Sequence, residues 1–180
     1  MMDLSDFGNW KDIEGYTNYM VSDQGFVMSK KALKMLKVSF DHQGYHHVCL
    51  YEDKTKKTHK LHNLVAKTHI DNPNGYTCVD HIDHDKTNNY VANLRWCSSS
   101  QNSMNRSKQS NTTSNYKGVS WHKQGQKWRA TIRVDGKLKH IGLFENEVQA
   151  AVAYNNAAIQ YFADFACLNV IPIESIADDA

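Results

Sequence analysis

The sequence predicts an α+β chain, with a small strand–loop–strand–helix unit followed by a three-stranded antiparallel sheet packed on one helix. Three observations lead there. Residues 127–134 alternate apolar and polar side chains and run straight into Asp135-Gly136, a strong hairpin signal. An alanine-rich stretch after Asn146 repeats at helical spacing. A small, polar stretch at 107–115 separates that half from a mostly strand-like first half.

The elements follow in chain order. Residues 16–22 and 26–29 flank Asp23-Gln24-Gly25 and read as a hairpin. Residues 44–51 and 57–61 form a second strand pair. Leu61, Leu64 and Val65 suit one face of a short helix, which Asp71-Asn72-Pro73 ends. Residues 77–82 are a short apolar run interrupted by Asp80 and His81. A turn-rich stretch at 83–89 follows, then a strand at 93–96 and a Ser-rich helix start at 98–102. In the second half, residues 116–122 supply a first strand, with Gly125 in the turn, and 138–144 the return strand. Trp128, Ala130, Ile132 and Val134 share the core face; Lys127, Arg129, Thr131 and Arg133 share the other. Strand parity adds Ser120, His122 and His140 to the polar face, and Trp121 with Trp128 to the core. Asn146 reads as an N-cap with Gln149 as its capping-box partner. Ala150, Tyr154, Ala157, Ala158 and Tyr161 form the helix stripe.

Composition narrows the class. With 41% hydrophobic and 22% charged residues among 180, wholesale disorder is excluded. No apolar run approaches the ~18 residues of a membrane span. The start of the chain carries neither a basic nor an apolar signal region, so a cytoplasmic protein is expected. Cys49, Cys78, Cys97 and Cys167 lack C-x-x-C spacing and read as buried thiols in a reducing compartment. The net charge of +2 conceals a segregation. Residues 28–70 hold nine Lys/Arg against three Asp/Glu, and 105–140 nine against one; 141–180 hold none against six. Basic blocks on an otherwise acidic chain are the footprint of a polyanion binder; solvated lysine faces are the plainer reading.

The chemistry lies at 77–106. Hydrolysing a phosphodiester needs a base to activate water, a divalent ion to neutralise charge, and a group to hold the base in place. A neutral histidine suits the base, and carboxylate and amide oxygens suit a hard ion. Asp80, His81, Asn93 and Asn102 supply this set. Residues 61–66, the Asp80-His81-Ile82-Asp83 run, Lys86-Thr87-Asn88-Asn89 and Asn93-Leu94-Arg95-Trp96, with Asn102 beyond, resemble the HNH (ββα-metal) nuclease motif over about 60–104. The variant is the His-Asn-Asn form of phage and intron-encoded homing endonucleases. The resemblance implies His81 as general base, Asp80 and Asn102 as ligands of one divalent ion, and Asn93 as the residue that steadies His81 or its backbone. It implies 5′-phosphate and 3′-hydroxyl products. Asn102 stands where many relatives carry a histidine, which favours Mg2+ or Mn2+ over zinc. Asn88 and Asn89 read as turn residues, His62 as a core-edge histidine, and Asp83, His84 and Asp85 as loop residues. His42, His46, His47 and His59 read as strand-surface residues.

Two further resemblances flank this motif. Residues 10–29 resemble the nuclease-associated modular segment of phage homing enzymes. Residues 115–169 resemble the ethylene-response-factor (Apetala-type) DNA-binding domain, in Tyr116-Lys117-Gly118-Val119, residues 127–132, Ile141-Gly142-Leu143-Phe144 and Ala150-Ala151 with Ala153-Tyr154-Asn155. In that family the sheet enters the major groove, which implies DNA contacts from Lys127, Arg129, Thr131, Arg133, Ser120, His122 and His140. The expected organisation is a modular segment at 1–52, a nuclease unit at 53–106, a linker at 107–115, a DNA-binding domain at 116–170 and a tail at 171–180. The expected function is metal-dependent cleavage of double-stranded DNA by a monomer with no membrane partner. A non-catalytic, sequence-specific DNA-binding regulator with a decayed nuclease unit is the alternative.

Overall fold

The computed structural model describes residues 3–106 and 113–172. The chain forms two compact units, Met1–Ser99 and Ser100–Ala180.

The first unit is built from short antiparallel sheets around one helix. A four-stranded sheet runs in chain order through β1 (Trp10–Ile13), β2 (Tyr16–Ser22), β3 (Val27–Ser29) and β4 (Lys34–Met35). A three-stranded sheet follows, from β5 (Ser39–Phe40), β6 (His46–Glu52) and β7 (Thr55–Lys60). Helix α1 (Leu61–His69) leaves β7 without a loop, so Leu61 opens the helix rather than closing the strand. A two-stranded ribbon, β8 (Cys78–His81) with β9 (Leu94–Cys97), completes the unit.

Sheets this small cannot bury a face alone. Here they share one core: Ile13, Val21, Val27, Val48, Leu50, Leu64, Val65, Val79 and Leu94 form a single buried cluster. Its members come from both the expected modular segment and the expected nuclease unit. The 52/53 boundary falls inside a tight hairpin turn, where Glu52 pairs with Thr55 and Asp53 and Lys54 take positive φ. α1 supplies the apolar stripe at the centre, and Trp96 of β9 donates from Nε1 to the Ile70 carbonyl at 3.0 Å.

The second unit carries the expected three-stranded sheet and helix. Strands β10 (Val119–His122), β11 (Lys127–Val134) and β12 (Lys137–Phe144) pair antiparallel in that order. Helix α3 (Glu147–Phe162) lies on β11 and β12. Asn146 caps it, its Oδ1 accepting from the Gln149 N–H at 2.7 Å. Alanines at 150, 151 and 158 and the ring of Tyr154 are buried against the sheet. The stripe ends on Phe162, not on Tyr161, which is 43% exposed and lies under the Lys139 ammonium. The buried residues of α3 are Ala150, Ala151, Tyr154, Ala158 and Phe162. Trp121, expected in the core, stays 38% exposed and meets Trp128 edge-on at 5.2 Å. It sits on the edge strand β10, where Val119 rather than Trp121 is buried with Ala150 and Ala151 of α3. Gly118, at φ +75°, leaves room for the Tyr154 ring, which occupies the space where a Cβ would stand.

The division between units falls earlier than the expected 106/107 boundary. Helix α2 (Ser99–Met104) starts at the division. Met104 packs with Ile132, Tyr154 and Phe162, and its carbonyl accepts from Lys117 Nζ at 2.7 Å. Of the expected linker, 107–112 lie outside the described residues, as do 173–180 of the tail. Ser114 is not slack: it is buried and donates to Glu147 Oε1 at 2.6 Å. All four cysteines are free; Cys97 and Cys167 are buried, whereas Cys49 and Cys78 are only half-buried. Among the described residues no helix is long and apolar enough to cross a membrane.

Candidate active site

The β8–β9 register builds the centre of the site. Asp80 lies opposite Arg95, and His81 opposite Leu94. Arg95 grips the Asp80 carboxylate, its Nε at 3.0 Å and its Nη2 at 2.8 Å from Oδ2. Both partners are largely buried, where a cross-strand ion pair is screened little by solvent.

His81 is buried at the end of β8. Its Nε2 lies 3.3 Å from Asn89 Oδ1. Its ring meets that of His62 edge-on at 4.9 Å, and the Tyr45 ring lies 6.0 Å away. Burial lowers the His81 pKa below the ordinary histidine value, although Asn89 and the carboxylates of Asp83, Asp80 and Asp85 pull the other way. A lowered value keeps the imidazole neutral at physiological pH, the state a general base needs. His62 is pushed further, down to about 3, by burial and then by His81 and Lys60. The ammonium groups of Lys60 and Lys86 lie 4.2 and 4.8 Å from the Tyr45 ring centre, so two cations flank that ring.

The loop from Ile82 to Asn93 is held by its own polar side chains. Asn93 is buried; its Oδ1 accepts from the Asp83 N–H at 3.0 Å. Its Nδ2 donates to Asp83 Oδ1 at 2.8 Å and to the Asn88 carbonyl at 2.9 Å. Its carbonyl takes the Ile82 N–H at 2.9 Å. Asn93 therefore steadies the backbone that follows His81, and its hydrogen bonds are to the loop rather than to the ring. Burial works against ionisation of Asp83, but hydrogen bonds from Asn88 and Asn93 outweigh it and hold its pKa below the usual carboxylate value.

The structure thus brings Asp80, His81 and Asn93 together. Asn102 lies half-buried on α2, within the second unit. Taken singly, the carboxylate of Asp80 and the amide of Asn102 are donors of the kind a hard divalent cation takes. No group of three or more His, Cys, Asp and Glu side chains is placed to hold a metal among the described residues. Sequence reading missed Asn89, which is buried against His81 rather than a plain turn residue, and His46, which is half-buried and bonded to Asn89. It also missed the Arg95 grip on Asp80. Only the β8–β9 register exposes that pairing, because fifteen positions of chain separate the partners.

On the second unit, strand pairing puts the predicted nucleic-acid residues on one face. Ser120 pairs with Arg129, His122 with Lys127, Thr131 with His140 and Arg133 with Leu138. Direct partners share a face, and alternation along β11 joins Lys127, Arg129, Thr131 and Arg133. Arg133 and His140 are exposed; Arg129 is half-buried, its Nη2 at 3.4 Å from Ser120 Oγ. Lys127 pairs with Glu145 at 2.7 Å.

Known proteins carry the same segments. Residues 9–51 match the NUMOD4 motif, and residues 59–104 match the HNH endonuclease family. The chain is 42% identical over 88 residues to DNA endonuclease I-HmuI of Bacillus phage SP01, covering 48% of this chain and 51% of that one. It is 35% identical over 88 residues to H-N-H endonuclease F-TflII of Escherichia phage T5, covering 48% and 46%. An uncharacterized HNH endonuclease of Acanthamoeba polyphaga mimivirus is 43% identical over 94 residues, 52% of this chain and 28% of its own length. The matches span about half or less of these relatives. A solved structure describing DNA binding and cleavage by the HNH homing endonuclease I-HmuI is similar at TM-score 0.51 and 30% identity, over 86% of this chain and 91% of that one. With the buried Asp80-His81 pair on a β-ribbon followed by a helix, and that likeness along nearly the whole of a solved relative, the chain belongs to the HNH endonuclease family.

Proposed function

We propose that this chain is a divalent-metal-dependent endonuclease that cuts double-stranded DNA, of the homing-endonuclease kind, and acts as a monomer. The observation that carries the reading is the β8–β9 ribbon. It sets a carboxylate and a neutral imidazole side by side, buried, with Arg95 on one and Asn89 on the other.

In this reading His81 takes the proton from a water molecule as that water attacks phosphorus. The bond from phosphorus to the 3′ oxygen breaks, leaving a 5′-phosphate and a 3′-hydroxyl. Asp80 and Asn102 would hold one Mg2+ or Mn2+, which would supply neutralisation of charge on the phosphate and the leaving oxygen. Arg95 fixes the rotamer of Asp80, and Asn93 keeps the 82–93 loop from drifting off His81. The polar face of β10–β12 grips the duplex through Lys127, Arg129, Thr131 and Arg133, with Ser120, His122 and His140 beside them. The ethylene-response-factor resemblance and the charge surplus at 105–140 support that role. Segment 107–115 joins the gripping and cutting parts.

Plasmid cleavage tests this. The expected result is nicking with Mg2+, none with EDTA, and a large loss in His81→Ala. Equal cutting by His81→Ala would remove the mechanism; tight DNA binding without any cleavage would favour a non-catalytic regulator.

A further inference from the structure

We infer that Asn89 is the positioning residue that sets the tautomer of His81, and that the Thr87 backbone carbonyl decides which way Asn89 faces. The inference rests on the reading of His81 as the general base.

The hydrogen bonds leave one consistent assignment. Asn89 Nδ2 lies 2.9 Å from the Thr87 carbonyl and 3.0 Å from His46 Nδ1. A carbonyl oxygen only accepts, so the amide nitrogen must face it. Turning the amide over would set two acceptors against each other in a buried place, where an unmade hydrogen bond is costly. One Nδ2 hydrogen goes to Thr87 and the other to His46, so both donors are used. Asn89 Oδ1 is then the atom presented to His81 Nε2, at 3.3 Å. Because Oδ1 accepts, Nε2 carries the proton. In neutral His81 the basic lone pair therefore sits on Nδ1. By the same logic His46 Nδ1 accepts, and His46 carries its proton on Nε2.

The supports of Asn89 are rigid. Its N–H also bonds the Thr87 carbonyl, at 3.1 Å. Gly25, in the β2–β3 turn at φ +85°, abuts it: a Cβ there would stand 3.1 Å from Asn89 Cβ and 3.3 Å from its carbonyl oxygen. The Val91 N–H bonds the Asp23 carbonyl at 2.7 Å, tying the next residues to the same turn. The N-terminal sheet thus backs the residue that orients the base, a role distinct from contact with DNA.

The test is the ring-nitrogen spectrum of His81 in the full-length, 15N-histidine-labelled protein without added metal, assigned with His81→Gln. The wild type should show protonated Nε2 and pyridine-like Nδ1. Asn89→Leu, similar in size but without the acceptor, should give a mixed tautomer. Its kcat should fall on the order of 10–100-fold, the range for partners that orient a functional histidine, with KM little changed. His46→Phe should keep the tautomer, because Thr87 still fixes the amide. Protonated Nδ1 in the wild type overturns the inference, and so does an Asn89→Leu protein with unchanged tautomer and kcat. Should Asn89→Leu fail to fold, the wild-type spectrum alone decides. The spectrum needs no cleavage, so failure of the general-base reading, seen as active His81→Ala, is separable from failure of this one.

Discussion

Asp80 and His81 are adjacent in sequence yet take different partners: Arg95 across the ribbon for one, His62 and Asn89 for the other. Arg95→Met removes the cation from a carboxylate that stays buried. That should destabilise the first unit by about 3 kcal/mol, the scale for breaking a buried ion pair from one side; urea unfolding followed by tryptophan fluorescence measures it. His62 gives a pH dependence with a definite sign. Its pKa falls from 6.5 to about 3 on folding, so between those values the unfolded chain binds a proton that the folded one does not. Stability is therefore full above pH 6.5 and declines as the pH falls toward 3. His62→Phe should flatten that slope in melts taken across the window, and an unchanged slope would show that another group carries it.

At the scale of elements, the decisive features are caps and close approaches. α3 depends on Asn146 for its first turn. Asn146→Ala should cost about 1 kcal/mol, read as a lowered melting temperature of the second unit with cleavage chemistry intact. The short strands of the first unit depend instead on α1, whose Leu61, Leu64, Val65 and Ala66 are buried among strands from both of its larger sheets and from the ribbon. Strands from the expected modular segment and the expected nuclease unit thus share one buried cluster.

For the whole molecule, charge and division of labour matter most. In the proposed function the carboxylates serve the metal and the basic blocks serve the phosphates. Arg133 is exposed on the sheet face, its Nη1 donating to the Gly136 carbonyl at 2.8 Å. Arg133→Ala should weaken DNA binding while the fold survives, and should lower the slope of log affinity against log salt by about 1. A titration in which the variant matches wild type at every salt concentration would exclude that face from the interface.

The second unit was nearly all legible in the sequence. Strict alternation at 127–134, Asp135-Gly136 and the Asn146 cap act over a few residues, and each appears where local signals put it. The exceptions, Tyr161 and Trp121, lie in the last turn of α3 and on an edge strand, where burial depends on how far the opposing layer reaches. Motif spacing likewise singled out Asp80, His81 and Asn93, because a strand–loop–strand ribbon needs only local pattern. Only the tertiary structure decided the rest of the site. Arg95 on Asp80, His62 against His81, and the chain from Thr87 through Asn89 to His46 join residues up to 43 positions apart. Single-residue readings assign such groups to turns and surfaces; packing removes them from water and leaves them each other as hydrogen-bond partners.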